Sequence, residues 1–497
     1  TMVFSAIFST AEKIAEKSIV LLKNDGLLPI RKDLRSVAVI GPAADTVSYG
    51  DYTETRGRKG GVSVLDGIRA AVSPETEVLY ERGCNFLGQA LHPFDPSMLR
   101  DENGESGLTG HYYNGPVPQG EPVQVRTDRT VNFNWIFALP HPALDANCFS
   151  VVWTGSVVMP RTMDGCIGLS TQDSMRLYVD DKLLIDGWGK DKSADQALDF
   201  HFEAGRTYKI RIEFVNDRRG ARVIFGYSAG RENFPAAVEA ARKADVAILC
   251  MGDNEETSGE NFDRTDLNLP GRQLELVQAV YATGTPVVLV LQSGRPVTAN
   301  WENDHLPAIL EAWFPGEQGG TAIAKTLFGD AAPGGRLPIT FPRSVGQIPC
   351  HYSRRPGGGK RYVEMDWLPL YPFGYGLTYT TFAYRDMALS RSVIDPQDTV
   401  TVSVTVTNTG KYTGDAVPQL YVRDMFSSVV KPERQLAAFR RLTLAPGESR
   451  RVELTVGPKQ LRTLGPDYVW RVEPGKFELQ LGDNAENILL RADLTVE

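Results

Sequence analysis

Five carboxylate side chains crowd an eleven-residue stretch near the middle of the 497-residue sequence. They are Asp253, Glu255, Glu256, Glu260 and Asp263. Carboxylates held this close repel one another, so we expect the pKa of at least one of them to rise. A carboxylic acid that stays protonated near neutral pH can protonate the leaving oxygen of a glycosidic bond. The stretch therefore has the residue types of a general acid site, although a solvated acidic loop has the same composition.

The residues just before this stretch predict the element that positions it. The run Ala244-Asp245-Val246-Ala247-Ile248-Leu249-Cys250 is typical of a strand buried on both faces. Similar apolar runs at 36–40 and 286–291 predict two more parallel strands, and we expect all three in one sheet. Open α/β sheets bind ligands at the carboxyl ends of their strands, so the placement favours a functional loop.

Helical spacing alternates with these strands until an all-β pattern interrupts it. Spacing predicts helices over residues 9–24, 62–73, 234–243 and 271–283, and a further strand over 76–80. Short alternating runs with frequent turns fill 107–230 and predict an antiparallel β-sandwich. We therefore expect one α/β sandwich domain with a parallel sheet, made of 1–106 and 231–350, with 107–230 inserted in a surface loop.

The C-terminal quarter predicts a second β-sandwich. Residues 351–375 are rich in Gly, Pro and aromatic residues and form a connector. From 376 to 497 turn signals recur about every ten residues, and 399–407 alternate strictly between polar and apolar side chains. The predicted fold class is multidomain, α/β plus all-β.

Composition excludes several classes of function. The net charge of −8 leaves no basic face for nucleic acid. No apolar run reaches the roughly 20 residues that a membrane span needs, and the first residues lack the features of a signal peptide. The six histidines and five cysteines are scattered, so we expect no metal and no other cofactor. The cysteines are expected to be thiols, with a single disulfide left open.

Several segments, in order along the chain, resemble the β-glucosidase branch of glycoside hydrolase family 3. They include Leu22-Lys23-Asn24-Asp25-Gly26, Gln292-Ser293-Gly294-Arg295-Pro296, Ala312-Trp313-Phe314-Pro315-Gly316-Glu317, Gly334-Gly335-Arg336-Leu337-Pro338 and Tyr371-Pro372-Phe373-Gly374-Tyr375-Gly376. The resemblance covers nearly the whole chain. It implies that the α/β part is the family's second domain and that 376–497 is its fibronectin type III-like domain. Residues 153–155 and 176–188 resemble parts of a protective-antigen-type β-sandwich. This resemblance implies that the insertion has that fold.

The resemblance also implies roles for the acidic residues. The family's general acid/base stands three residues before an Asp-Arg pair, here Asp263 and Arg264, so Glu260 takes that role. Glu256 and Glu255 are the fallback candidates. Asp263 and Arg264 are expected to hold the loop by pairing with each other or with neighbours.

One departure from the family pattern concerns the acid/base itself. The usual Gly-Glu-Gly is Gly259-Glu260-Asn261 here. Asn adopts left-handed backbone conformations more readily than most residues, so we expect the turn to persist.

A second departure concerns the other half of the chemistry. The family's retaining mechanism needs two carboxylates about 5–5.5 Å apart. The nucleophile is an Asp on a (β/α)₈ barrel of about 250 residues, and nothing in 1–497 resembles that barrel. We therefore expect this chain to supply the acid/base of an exo-acting retaining β-glucosidase, with the barrel as a partner domain or chain.

Other interpretations stay open at this stage. The expected substrate is a β-linked oligosaccharide or glycoside, but β-xylosidases and other exo-glycosidases share the family. A non-catalytic carbohydrate-binding or scaffold chain is an alternative of another class. The family suggests a periplasmic or secreted protein, while the sequence leaves a cytoplasmic location and oligomer formation open.

Overall fold

The computed structural model divides the chain into two compact units, Thr1–Phe86 with Phe234–Glu497, and Leu87–Asn233. The structure describes residues 2–50, 52–53, 60–86, 91–135, 139–171, 173–189, 196–216, 221–229, 234–254, 257–260, 262–357 and 361–497.

A six-stranded sheet forms the centre of the first unit. Its strands are β1 (Val20–Asn24), β2 (Ser36–Ile40), β3 (Glu77–Glu81), β4 (Val246–Gly252), β5 (Val287–Gln292) and β6 (Ala308–Glu311). Their order across the sheet is β1-β6-β5-β4-β2-β3, and every neighbouring pair is parallel except β1 with β6. The strands predicted at 36–40, 244–250 and 286–291 thus share one sheet, as expected.

Helices cover both faces of this sheet. They are α1 (Met2–Ser18), α2 (Val64–Ala71), α3 (Pro235–Lys243), α4 (Gln273–Tyr281), α5 (Asn300–His305) and α6 (Gly319–Leu327). Val37 and Val39 of β2 pack in one core with α2 and α6, and Ala38 and Ile40 pack in a second core with α3 and α4. Because successive strand residues face opposite sides, a strand between two helical layers is apolar throughout. No helix in the described residues has the length and apolar character of a membrane span.

The helix predicted over 9–24 was wrong in its second half. Helix α1 ends at Ser18, and β1 runs antiparallel to β6 at the edge of the sheet. Ile19, Val20, Leu21 and Leu22 are all buried, which a helix with one solvent face does not allow. The continuous apolar run was the signal of a strand, and the helical spacing before it hid the change.

The second unit is a sandwich of two sheets around an aromatic core that includes Trp153, Phe214 and Phe225. Its strands are His92–Pro93, Leu99–Arg100, Leu108–Asn114, Gln124–Asp128, Asn132–Asn134, Phe149–Val158, Met163–Thr171, Ser174–Val179, Lys182–Asp186, Gln196–Phe202, Thr207–Asn216 and Arg222–Ala229. The unit begins at Leu87 rather than at the expected residue 107. The reason is that His92–Pro93 and Leu99–Arg100 pair with strands of this sandwich.

The C-terminal part of the first unit is also all-β. Its strands are Phe382–Leu389, Val393–Ile394, Val400–Asn408, Gly414–Ala416, Gln419–Asp424, Gln435–Phe439, Leu442–Leu444, Ser449–Val456, Thr463–Leu464, Trp470–Arg471, Gly475–Gly482 and Ile488–Val496, with a short helix at Pro458–Leu461. Along Val400–Asn408 every second residue is buried, as the alternation predicts. The side-chain amide of Gln419 donates to the carbonyl of Gly374 at 3.0 Å, so the connector packs on this sandwich.

Candidate active site

The acidic stretch leaves the sheet at the carboxyl end of β4. The last residue of β4, Gly252, has a φ of 138°, which disfavours any side chain. A Cβ there would lie 1.9 Å from the carbonyl oxygen of Gln292 on β5. The amide of Asp253 donates to that same oxygen at 2.8 Å. Glycine therefore lets the chain turn out of the sheet while Asp253 stays attached to β5.

A tight turn then exposes the predicted acid/base. The amides of Thr257 and Ser258 both donate to the carbonyl of Asn254, at 3.1 and 2.9 Å. The Asn254 amide donates in return to Thr257 Oγ1 at 3.0 Å. Thr257 and Ser258 are buried, whereas Glu260 is exposed. The loop is thus anchored in the protein, and Glu260 lies on its exposed part.

Asp253 is the buried centre of the loop, with only 2 % of its surface exposed. Its Oδ1 accepts from Thr257 Oγ1 at 3.0 Å and from Arg264 Nη1 at 3.3 Å. Its Oδ2 lies 3.7 Å from Arg295 Nε. Burial raises the pKa of Asp253, while the Thr257 hydroxyl and the two guanidinium groups oppose that rise. A carboxyl pKa in the stretch is raised, as expected, but desolvation rather than repulsion between carboxylates is the cause.

Arg264 holds the segment of the loop that follows Glu260. Its Nη2 donates to the carbonyl of Asn268 at 2.7 Å and lies 3.4 Å from Asp266 Oδ1. Among the residues that the structure describes, its carboxylate partners are Asp253 and Asp266 rather than its chain neighbour Asp263, which is exposed.

The two fallback candidates for the acid/base, Glu255 and Glu256, lie outside the described residues. The same holds for Asn261, which replaces the family's second glycine. The choice among the three glutamates therefore rests on the resemblance to the family motif alone.

Arg295 received no role from the sequence patterns, yet it contacts the loop on both sides of Glu260. Its Nη2 donates to the carbonyl of Thr257 at 3.2 Å and to that of Phe262 at 3.4 Å. It stands three residues after the end of β5, at the same sheet edge as the acidic stretch. Its position just beyond a buried parallel strand was the one signal that could have identified it.

Glu311, the last residue of β6, was also missed. It is completely buried, and its Oε1 accepts from the Trp313 amide at 2.7 Å. Ser293 Oγ lies 3.1 Å from Glu311 Oε2 and 2.8 Å from the carbonyl oxygen of Arg295. Burial raises the pKa of Glu311 well above its ordinary value.

The hydrogen count around Ser293 agrees with a neutral Glu311. A serine hydroxyl has one hydrogen to donate, so it cannot donate to two oxygens at once. A protonated Glu311 can donate to Ser293 Oγ while Ser293 donates to the Arg295 carbonyl. All three groups are then satisfied, and the backbone of Arg295 is held in place.

The whole arrangement can support proton transfer at the sheet edge. Glu260 is an exposed residue on a loop that a buried carboxylate and two guanidinium groups hold in place. An exposed carboxylate on a fixed loop can give a proton to a bound ligand or take one from water. In the part of the chain that the structure describes, no group of three or more His, Cys, Asp or Glu residues has the arrangement of a metal site.

Two family models match this chain, and several known proteins are similar to it. The model of the glycosyl hydrolase family 3 C-terminal domain matches residues 19–379, and that of the fibronectin type III-like domain matches 416–485. The chain is 45 % identical over 302 residues to a β-xylosidase from Formosa agariphila, covering 58 % of this chain and 42 % of that protein. It is 34 % identical over 520 residues to a β-glucosidase from Rhizobium radiobacter, covering 97 % of this chain and 62 % of that protein.

A solved structure matches the fold over almost the full chain. It is a β-glucosidase from Kluyveromyces marxianus in complex with glucose, with a TM-score of 0.75 and 28 % sequence identity. The match covers 99 % of this chain and 63 % of that one. The chain thus spans less than two thirds of the length of each of these relatives.

Proposed function

The chain belongs to glycosyl hydrolase family 3, and from this premise we propose that it forms the acid/base side of an exo-acting retaining β-glucosidase. Glu260 is the general acid/base, and the substrate is the terminal non-reducing β-D-glucosyl residue of an oligosaccharide or glycoside. The observation that carries the proposal is that Glu260 is exposed on an anchored loop at the carboxyl edge of the sheet. The similarity to a β-glucosidase, which covers 97 % of this chain, supports the choice of sugar.

In this proposal Glu260 acts twice. It first protonates the oxygen of the leaving group while a second carboxylate attacks the anomeric carbon and forms a covalent glycosyl-enzyme. It then takes a proton from the water that attacks this intermediate, which releases the sugar with retained configuration. The attacking carboxylate is an Asp of the (β/α)₈ barrel, a partner domain or chain outside residues 1–497.

The positions of Asp263 and Arg264 suggest how the acid/base is held. Arg264 binds Asp253, Asp266 and the Asn268 carbonyl, so it fixes the segment that follows Glu260. Asp263 lies on the exposed side of that segment, and its contribution to the loop stays a prediction.

The test is Glu260→Gln in a barrel-containing form, that is, residues 1–497 together with the (β/α)₈ barrel that supplies the nucleophile. General acid/base catalysis is typically worth about 10²–10⁴-fold in rate. The rate of cellobiose hydrolysis should therefore fall by about 10²-fold or more. Formation of the glycosyl-enzyme from a dinitrophenyl glucoside should fall much less, because that leaving group needs little protonation. Azide should restore turnover and give a β-glucosyl azide, since it attacks the intermediate without base assistance.

Two control variants make the test specific. Glu275→Gln changes a glutamate on α4 that pairs with Arg272, and it should leave activity unchanged. Glu256→Gln tests the fallback candidate. Near-normal hydrolysis of cellobiose by Glu260→Gln together with its loss in Glu256→Gln would transfer the acid/base role to Glu256.

A β-xylosidase is a second candidate, favoured by the 45 % identity to the Formosa agariphila enzyme. Comparing kcat/KM for aryl β-glucosides and aryl β-xylosides in the barrel-containing form decides between the two sugars. A chain that only binds carbohydrate would hydrolyse neither substrate in that form, and azide would have no effect.

A further inference from the structure

One arginine spans the part of the loop that carries the acid/base. Arg295 Nη2 donates to the carbonyls of Thr257 and Phe262, which precede and follow Glu260. Both acceptors are backbone groups, so the contact restrains the path of the chain rather than a single side chain. Because Arg295 lies beyond β5 and Glu260 lies beyond β4, the contact also joins the loop to a second strand of the sheet.

Arg295 is itself held at both ends. Its Nε lies 3.7 Å from the Oδ2 of the buried Asp253. Its backbone carbonyl accepts from Ser293 Oγ at 2.8 Å, and Ser293 in turn lies against the buried Glu311 at the end of β6. A flexible surface arginine has none of these restraints. Arg295 is therefore restrained from two further strand ends: Asp253, after β4, faces its guanidinium, and Glu311, at the end of β6, supports its backbone through Ser293.

We propose that Arg295 is the positioning residue that holds Glu260 at the distance and angle required for proton transfer. The proposal rests on the acid/base role proposed for Glu260. Arg295 acts through the backbone of Thr257 and Phe262, and Asp253 keeps its guanidinium in place. It does not bind the sugar and does not transfer a proton.

The geometry sets the size of the effect. Proton transfer needs the heavy atoms within about 2.6–3.2 Å of each other, either directly or through one water. A displacement of about 1 Å in a catalytic constellation can cost about 10²-fold in rate. Loss of both backbone contacts removes one restraint on each side of Glu260, so we expect a displacement of about this size.

The decisive variant is Arg295→Met, which keeps much of the side-chain volume and removes both the charge and the donors. Arg272→Met is the matched control. The two arginine side chains have nearly the same exposure, 22 % and 23 %, and Arg272 pairs with Glu275 on α4 instead of the loop. Arg295→Lys keeps the charge but loses the planar guanidinium, whose Nη2 reaches both carbonyls while its Nε faces Asp253, so it should recover only part of the activity.

Kinetics in the barrel-containing form distinguish a positioning role of Arg295 from sugar binding or a general structural role. Arg295→Met should lower kcat for cellobiose by about 10²-fold and affect formation of the glycosyl-enzyme from a dinitrophenyl glucoside much less, as Glu260→Gln does. In the double variant the two losses should not multiply, because residues that act as a unit are not additive. Equal losses on both substrates, a rise in KM without loss of kcat, or losses that multiply would each overturn the proposal.

Hydrogen exchange provides a readout that does not depend on catalysis. In residues 1–497, Arg295→Met should increase exchange at the amides of Thr257, Ser258 and Phe262, and Arg272→Met should not. Unchanged exchange in Arg295→Met would show that Arg295 does not restrain the loop, which overturns the proposal. Increased exchange together with full activity of Glu260→Gln would show that Glu260 is not the acid/base. The proposal would then fail, and the contacts of Arg295 with Thr257 and Phe262 would be structural only.

Discussion

Strand β4 carries an aspartate–arginine pair at each end, and the two pairs are built differently. Near the amino end, Asp245 binds Arg35 at 2.8 Å, and at the carboxyl end Asp253 binds Arg264 at 3.3 Å. The Arg35 side chain is 90 % exposed, whereas that of Arg264 is 18 % exposed. Asp245 also accepts from the amides of Arg35 and Ser36, so it joins β4 to the start of β2.

The two aspartates differ in the direction of their pKa shifts. The hydrogen bond from Arg35 lowers the pKa of Asp245. Burial raises the pKa of Asp253 in spite of two nearby guanidinium groups. The shorter, exposed pair is an ordinary connection between strands. The longer pair, Asp253 with Arg264, keeps a carboxylate in a buried position that disfavours its charge. Carboxyl groups with perturbed pKa values are concentrated at functional sites. The comparison thus separates the end of the strand that stabilises the fold from the end that carries the candidate chemistry.

The largest expected difference between the two ends is in stability. Asp253→Ala leaves Arg264 and Arg295 partly buried without their shared carboxylate, so we expect a loss of about 3 kcal/mol in the free energy of unfolding. Asp245→Ala removes an exposed pair and should cost clearly less. Denaturant unfolding of residues 1–497, followed by tryptophan fluorescence, measures both. Equal losses would show that burial does not distinguish the two pairs.

Glu311 extends the comparison to a third carboxyl group, which is more deeply buried than either aspartate. If it is neutral, Glu311→Gln supplies the same pattern of bonds, with an amide hydrogen for Ser293 Oγ and a carbonyl oxygen for the Trp313 amide. The expected change in the free energy of unfolding at neutral pH is therefore within about 1 kcal/mol. A loss like that of Asp253→Ala would mean that Glu311 is ionised and that Ser293 alone supplies the hydrogen. The same denaturant experiment decides this.

The sequence predicted the sheet well for a physical reason. A strand covered by helices on both faces must be apolar along its length, and β2, β4 and β5 have such runs. The edge strand β1 was missed because it continues from a helix with no break in the apolar pattern. Its partner, β6, is nearly 290 residues away, and local spacing holds no information on that pairing. The start of the inserted unit was misplaced for the same reason, since two short strands join it only by distant pairing.

The candidate site divides in a similar way. Glu260, Asp263 and Arg264 could be proposed from the sequence because they stand in one short motif. Asp253 was noted as one of five carboxylates, but its burial follows from the turn at Gly252 against β5. Arg295 and Glu311 come from the ends of other strands. A sequence pattern can place a polar residue at a strand end, but only the packed sheet shows which of them faces the loop.

The smallest expected effect is a difference in how the two aspartates couple stability to pH. The pKa of Asp253 is raised above its ordinary value of 3.8, so the folded state binds this proton more tightly than the unfolded state does. The contribution of this proton to the free energy of unfolding is complete below pH 3.8 and is lost as the pH rises through the raised pKa of Asp253. The pKa of Asp245 is lowered, so its contribution is present above pH 3.8 and is lost as the pH falls through the lowered pKa.

Asparagine variants isolate these contributions, because the fixed cost of each replacement does not change with pH. Between about pH 3 and pH 7 the natural chain should lose Tm relative to Asp253→Asn as the pH rises, and should gain Tm relative to Asp245→Asn. Thermal unfolding of the three proteins in one buffer series gives both differences. Slopes of the same sign would contradict the assignment of desolvation as the dominant effect at Asp253. Opposite slopes, from two aspartates at the ends of one strand, would trace the raised pKa to the burial of the loop that presents Glu260.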